Sequence, residues 1–292
     1  MRSPKIFIVT VIYQRPLGLV KKYLKNLFLV NYQNYQIILV YNHNNFNYLQ
    51  KLNKLAERYP KIILINNGKN LGFVKAANIG IKHSINNRGD YTLLLNDDVK
   101  VNNNLIKELL LPFKNKKIGM VSPIILNKAK KIWYAGGMIS SYFAYTRNFY
   151  MGQKPSQKIK SNQTGVISGC CVLIKNNLWQ KVNFLDEDLF MYFDDPDLSL
   201  RAQKKGFSCY LLAKPLVIHL KESSFLNSFE AYYYGRNPFI LIRKHYAGFK
   251  KITAYFGQFF IRLPRNLVRL KDHQALINYL KGVRDGLRGI TG

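Results

Sequence analysis

Residues 89 to 99 read Gly89-Asp-Tyr-Thr-Leu-Leu-Leu-Asn96-Asp97-Asp98-Val99. Tyr91 to Leu95 are apolar or β-favouring and predict a buried strand, and three side chains that resist burial follow at once. The acids therefore sit at the carboxyl end of that strand. In an open α/β sheet this edge is where loops converge on a ligand crevice, and it can present carboxylates to a metal and its phosphates. The alternative is that Asn96, Asp97 and Asp98 only turn the chain toward a helix beginning near Asn104.

Upstream of this stretch, strand and helix patterns alternate. Residues 6–12 form a β-branched run, and Leu17, Val20, Leu24, Leu27 and Phe28 recur at helical spacing. Residues 35–41 predict a second strand, 48–59 a second helix, 62–66 a third strand and 73–85 a third helix. Repeated βα units imply a mostly parallel sheet covered on both faces. Downstream the pattern loosens to a helix over 104–113 and strands over 118–122, 132–134 and 166–174. Residues 136–163 are polar, aromatic and basic without a period, and are expected to form a mobile loop region. Residues 196–205 predict a helix with Asp195 as cap, Pro196 at its first position and Gly206 just past its end. Strands over 207–212 and 216–220 follow.

The chain of 292 residues is long enough for one large α/β domain plus an appendage. With 48% hydrophobic residues it is not a disordered chain, and no stretch approaches the ~20 apolar residues of a membrane-spanning helix. The apolar start is read as a first strand rather than a signal peptide. Cys170, Cys171 and Cys209 match neither a disulfide framework nor a zinc site and fit a reducing cytosol. A formal charge of +30, from 45 Lys and Arg against 15 Asp and Glu, draws the surface to polyanions: nucleic acid, anionic lipid or a phosphorylated substrate.

From about Ser223 the texture becomes helical, aromatic and basic. Between 221 and 292 there are 13 basic against 4 acidic residues, so the tail does not hold most of the excess charge. Residues 249–270 mix Phe256, Phe259, Phe260, Ile261 and Leu263 with Arg262, Arg265 and Arg269. That mixture suits a helix lying in a membrane interface, or one whose apolar stripe packs on the main domain while its arginines face water.

Further stretches bear on the acids. Asn70-Leu-Gly72-Phe-Val-Lys75-Ala-Ala-Asn78-Ile-Gly80 follows a strand and opens a helix, so its amides can approach a phosphate. Ser168-Gly169-Cys170-Cys171 is a small-residue turn running into an apolar strand. Asp194-Asp195-Pro196-Asp197 sets three acids on a helix start, and Val217-Ile218-His219 ends a strand in an imidazole. Together with Tyr13-Gln14-Arg15, Tyr41-Asn42-His43-Asn44 and Tyr233-Tyr234-Gly235-Arg236-Asn237, these stand in an order that resembles the family 2 glycosyltransferases. The similarity extends especially to the bacterial rhamnosyltransferases of surface polysaccharides, over roughly residues 5–240.

The resemblance implies the GT-A fold, a Rossmann-like, mostly parallel sheet flanked by helices. It gives a catalytic domain over 1–222, with a nucleotide-binding half to about 100 and an acceptor half beyond, and a C-terminal helical extension over 223–292. It implies inverting transfer of rhamnose or another hexose from a UDP- or dTDP-sugar to a hydroxyl of a lipid-linked or polysaccharide acceptor. Asp98 matches the last acid of the family's Asp-x-Asp motif and would hold Mn²⁺ or Mg²⁺, with His219 as a second ligand or as hydrogen-bonded filler. Asp195 matches the general base, its structural alternative being the helix cap. Donor contacts would come from Tyr13, Arg15, Tyr41, Asn42, Asn44, Asn70, Gly72, Lys75, Asn96, Asp97 and Arg236, and acceptor contacts from Asp194, Gly169 and Trp133.

The sequence departs from the family at Tyr41, where an Asp usually reads the base, and at Gln14, Asn96 and Asp194, where Asn, Asp and Glu are usual. Tyr41 either meets a base or joins the core. Expected partners are the nucleotide sugar, the acceptor, an anionic membrane surface at the cytoplasmic face and a second copy of the chain, with no nucleic acid. Two other readings are a non-catalytic polyanion binder, against which the clustered acids argue, and a degenerate transferase kept as a scaffold.

Overall fold

A computed structural model gives the fold and describes residues 2–221, 227–268, 270 and 272–291. The first half runs β1 (Ile6–Ile12), α1 (Leu17–Phe28), β2 (Tyr35–Tyr41), α2 (Phe46–Glu57), β3 (Ile62–Asn66), α3 (Gly72–Asn86) and β4 (Tyr91–Leu95). Strands pair in parallel in the order β3-β2-β1-β4. Alternate side chains divide between two cores, as strand geometry requires. Ile6, Ile8 and Ile12 of β1 pack with Leu24 and Leu27 of α1, whereas Phe7 and Val9 pack with Val74, Ala77 and Ile81 of α3. Gly80 lets α3 lie close on the sheet, because a methyl there would collide with Val9.

The second half runs β5 (Val99–Val101), α4 (Leu105–Leu110), β6 (Ile118–Asn127), β7 (Ile132–Tyr134), β8 (Gly137–Ile139), β9 (Thr146–Asn148), β10 (Asn162–Thr164), β11 (Cys171–Lys175), α5 (Asn176–Val182), α6 (Asp194–Lys204) and β12 (Ser208–His219). Here the sheet turns mixed. β11 inserts antiparallel between β4 and β6, and β12 pairs in parallel with β6 and antiparallel with β5 and β10.

Four expectations shift. The helix over 104–113 stops at Leu110, and Pro112, which lacks an amide proton, sits in a 3-10 turn over Leu111–Lys114. The expected strands over 207–212 and 216–220 are one strand, β12, with its register broken around Pro215. The strand over 166–174 begins only at Cys171, because Ile167 and Cys170 give their amides to the hydroxyls of Ser199 and Ser168. Residues 136–163, expected to be a mobile loop, contain the β8–β9 hairpin and β10. Tyr246 Oη and Thr253 Oγ1 donate to the carbonyls of Ser140 and Tyr142, both at 2.7 Å, tying the hairpin tip to the C-terminal helices.

The C-terminal part consists of α7 (Ser228–His245), α8 (Gly248–Gly257), a π-turn over Gln258–Arg262, α9 (Leu263–Leu267) and α10 (His273–Arg288). The expected boundary at 222/223 and Arg269 lie outside the described residues. A capping box of Asn227 and Glu230 starts α7. Ile240 of α7 enters the core beneath β11 and α6, so this helix is built into the α/β domain. α7 and α10 cross on glycines: a methyl on Gly282 would strike the Tyr232 carbonyl, and one on Gly235 the Tyr279 carbonyl. Gly282→Val is therefore expected to cost ~3 kcal/mol or more of overpacking. Thermal denaturation followed by circular dichroism should show a Tm lower by several degrees.

Candidate active site

β4 delivers Asn96, Asp97 and Asp98 to the carboxyl edge of the sheet. The amide of Asn96 donates to the Cys170 carbonyl at 3.0 Å, continuing the β4–β11 ladder one step past the strands. Pairing of Val99 with His219 and donation of the Leu220 amide to the Asp98 carbonyl at 2.7 Å bring the end of β12 alongside. As a result His219 Nε2 lies 3.2 Å from Asp98 Oδ2. The Trp133 ring covers the imidazole with centroids 4.6 Å apart. Both Asp98 Oδ1 and His219 Nδ1 are buried without a hydrogen-bond partner.

These two orphaned atoms are an unusual cost, since a buried polar atom normally has a partner. A divalent cation would serve the Asp98 carboxylate: Asp98 Oδ2 and His219 Nε2, 3.2 Å apart, are spaced close to adjacent ligands on octahedral bonds of ~2.1 Å, while His219 Nδ1, across the ring, is not met by it. Among the described residues no group of three His, Cys, Asp or Glu side chains is placed to hold a metal. The protein would thus supply two ligands and leave the rest to phosphate oxygens and water, the usual arrangement for Mg²⁺ beside phosphates. Burial pushes the Asp98 carboxyl up, but the hydrogen bond and charge of His219, with Arg15, outweigh it and hold the group below its ordinary range. Neighbouring Asp97 goes the other way: burial raises it to about 6, against the opposing pull of Arg15, whose Nε lies 3.7 Å from Asp97 Oδ2.

Asp194 and Asp195 open α6. Contrary to expectation Asp195 is not the cap. That position belongs to Phe193, in left-handed conformation with φ of +66°, and no side chain caps the helix. Asp195 instead turns its carboxylate to the Gly169 amide, which donates to it, and a methyl on Gly169 would collide with Asp195 Oδ1. Burial raises Asp195 to about 6, with the Gly169 amide and a hydrogen bond from Asp194 opposing it. Buried Asp194 is pushed well up by burial and by the charge of Asp195, so it is the member of the pair that keeps a proton. Cys170, next to Gly169, is buried, and its thiol is raised further by the charges of both Asp98 and Asp195. Asp195 thus rests on the turn whose next residue, Cys170, is hydrogen-bonded to the stretch that leads to Asp98.

The segment before Asp194 is strained: Phe190, Tyr192 and Phe193 all have positive φ. Asn237 of α7 holds it, donating through Nδ2 to the carbonyls of Leu189, Met191 and Tyr192 at 2.9, 2.7 and 3.0 Å. Arg236, expected at the donor, is fully buried and donates to the carbonyls of Asp188 and Leu189. It braces this segment from behind. Phe190 stacks on Tyr233 and accepts the Val74 amide on its carbonyl, so α3 and α6 are linked through it.

On the other side of the edge, Asn42 is buried and all its hydrogen-bonding capacity is used. Its Nδ2 donates to Asn70 Oδ1 and the Gly72 carbonyl, and its Oδ1 accepts from Asn67 Nδ2 and the Leu71 amide. It shapes residues 67–72 and so the start of α3. Gly72 has φ of +79°, and a methyl there would meet the Phe190 ring. Tyr41 proves to be a core residue, stacked on Tyr48 with its hydroxyl donating to the Asn45 carbonyl. Asn44, Lys75 and Tyr13 are exposed, and Tyr13 lies 5.5 Å, ring to ring, from His43. Spacing did not single out His43, Phe190 or Asn237, although each lies in or beside a quoted motif.

A concavity of about 720 Å³ opens at the amino end of β4, lined by Arg2, Arg88, Asp90 and Lys175. Its one acid, Asp90, accepts the Lys5 amide, and it is at the far end of β4 from Asp98.

The family model described as Glycosyl transferase family 2 matches residues 7–182. The dTDP-rhamnosyl transferase RfbF of Shigella flexneri is 25% identical over 89% of this chain and 88% of its own. The N-acetylglucosaminyl-diphospho-decaprenol L-rhamnosyltransferase of Mycobacterium tuberculosis is 24% identical over 69% and 68%. S. aureus TarS 1-349 in complex with UDP-GlcNAc shares the fold with TM-score 0.64 at 12% identity, over 98% of this chain and 81% of that one. GalNAc-T7 with UDP, GalNAc and Mn²⁺ does so with TM-score 0.63 at 12% identity, over 91% of this chain and 58% of that one. The fold is GT-A. Asp98→Ala and His219→Ala are expected to weaken Mn²⁺-dependent UDP binding by tenfold or more in calorimetry, leaving binding without metal unchanged.

Proposed function

The chain belongs to glycosyl transferase family 2, and on that premise we propose that it transfers rhamnose or another hexose, with inversion, from a UDP- or dTDP-sugar to a hydroxyl of a lipid-linked or polysaccharide acceptor. The observation that carries this reading is the turn at Gly169: Gly169 seats Asp195, and the carbonyl of Cys170 accepts the Asn96 amide, two residues before Asp98. An inverting transfer needs two such groups on either side of one carbon. The acceptor oxygen forms a bond to the anomeric carbon as the bond from that carbon to the diphosphate breaks, and the acceptor's proton passes to Asp195. Mn²⁺ or Mg²⁺ held by Asp98 and His219 would supply charge neutralisation for the departing diphosphate. The residues' own part is otherwise positional. Asn42 fixes the loop before α3, whose amino end favours phosphate. In this reading exposed Tyr13, Asn44 and Lys75, with Arg15, serve the donor, and Asp194 and Trp133 the acceptor.

Asp195 must be ionised to accept a proton, so kcat/KM is expected to rise with pH through about 6 and level off above it. Asp195→Asn should abolish this transfer, by a factor of ~10² to 10⁴, while UDP affinity stays within twofold. Nucleotide release from a panel of UDP- and dTDP-sugars measures both, and a variant with wild-type turnover removes Asp195 from the role.

The acceptor is proposed to be reached from a membrane surface. Phe249, Ile252, Phe256 and Phe260 are 71%, 67%, 52% and 66% exposed and recur at helical spacing along α8 and the π-turn. Lys250 and Arg265 are exposed close by in the sequence. The apolar stripe thus faces solvent rather than the domain. Among the described residues no helix is long and apolar enough to cross a membrane, so the contact would be peripheral, at the inner leaflet. Flotation with vesicles containing anionic lipid should retain the wild type, and Phe256→Glu with Phe260→Glu should release most of it.

A further inference from the structure

Arg262 closes the π-turn and points the opposite way from Phe260. Its guanidinium carbon lies 4.5 Å from the centroid of the Phe193 ring and 5.9 Å from that of Tyr234. Two features make this placement unusual. The turn itself is rare, an extra residue in the helix that shifts its register, and such turns concentrate at functional sites. Among the described residues, moreover, Arg262 makes no hydrogen bond or ion pair, only these ring contacts. By contrast half-buried Arg201 is paired with Asp197, and buried Arg236 donates to backbone carbonyls.

A guanidinium half-buried between two aromatic rings with no anion beside it is only partly compensated by the ring faces, and its open side can still take a partner. Burial lowers its pKa, with Arg265 adding to the effect and tyrosines 279, 234 and 145 opposing it. An anion is the missing partner. The position says whose anion. Phe193 immediately precedes Asp194 and Asp195, and the Tyr234 hydroxyl senses the charges of Arg262, Asp194 and Asp195 together. Arg262 is therefore on the base's side of the cleft, where the acceptor enters. On the same segment Arg265 donates to the Tyr145 hydroxyl, next to the exposed Phe256–Phe260 stripe.

We propose that Arg262 is an acceptor subsite: it binds a phosphate group carried by the acceptor, holding the acceptor hydroxyl at Asp195. The proposal rests on the transferase reading above and adds to it that the acceptor is anionic at the end joined to its carrier. Arginine suits the task because its planar fork takes two phosphate oxygens at once.

The test uses the full chain and two soluble probes with the same sugar, N-acetylglucosaminyl diphosphate with a ten-carbon tail and octyl N-acetylglucosaminide, which lacks phosphate. Binding of each, without donor, is measured for wild type, Arg262→Gln and Arg262→Lys. Arg262→Gln should weaken the diphosphate probe tenfold to a hundredfold, the loss of a hydrogen-bonded charge pair, and leave the octyl glycoside and UDP unaffected. Arg262→Lys should recover part of the loss. Inorganic pyrophosphate should compete with the diphosphate probe only weakly, which separates an acceptor site from a free-phosphate site. Equal losses with both probes, a weakened UDP affinity or pyrophosphate binding as tight as the diphosphate probe would each overturn the assignment. Because these arms need no turnover, absence of sugar transfer with any donor would count against the transferase reading alone.

Discussion

One hydrogen bond, from the amide of Asn96 to the carbonyl of Cys170, joins the two halves of the chain at the place where chemistry is proposed. It extends the antiparallel pairing of β4 with β11, so the acids leaving one strand and the small-residue turn entering the other are neighbours. Everything the site uses from the second half is referred to that turn. Gly169 must be a glycine for Asp195 to rest against it, and β12 must run beside β5 for His219 to face Asp98. A parallel sheet throughout would have put a crossover connection between these strands and separated the two carboxylates.

The C-terminal helices take part in the same arrangement. Phe190, Tyr192 and Phe193 have positive φ with only Met191 between them, and a segment so disfavoured needs outside support. Asn237 and Arg236 give it, through five hydrogen bonds to backbone carbonyls. Phe190 then touches the start of α3 as well. The loop before α3, the start of α6 and α7 are thus linked through Phe190 by direct contacts.

The order of strands and helices was legible because periodicity in this chain is strong: β1, β3 and β4 begin and end where the apolar runs do. Asn96 to Asp98 stood out because three polar residues after an apolar run are conspicuous. Hydrogen-bonded detail was not legible. Pro196 after two aspartates suggested a capping residue, yet the chain enters α6 through a left-handed Phe193, just after the Tyr192 carbonyl that Asn237 holds. Tyr41 was ambiguous between nucleotide and core, and stacking on Tyr48 decided it, a contact between a strand end and the following helix that spacing does not encode. The tail's arginines and phenylalanines read as one amphipathic mixture. The π-turn divides them, setting Arg262 inward and Phe260 outward.

Cys170, Cys171 and Cys209 are all buried, and burial pushes each thiol up, Cys209 to about 11. None carries a thiolate at neutral pH, and the thiolate is the species that reacts with alkylating reagents and disulfides. The folded protein is accordingly inert toward them, and Cys170, in the Gly169 turn, becomes a built-in reporter. Its labelling rate tracks the opening of β11 from β4, so a simple thiol assay reads how often the cleft comes apart.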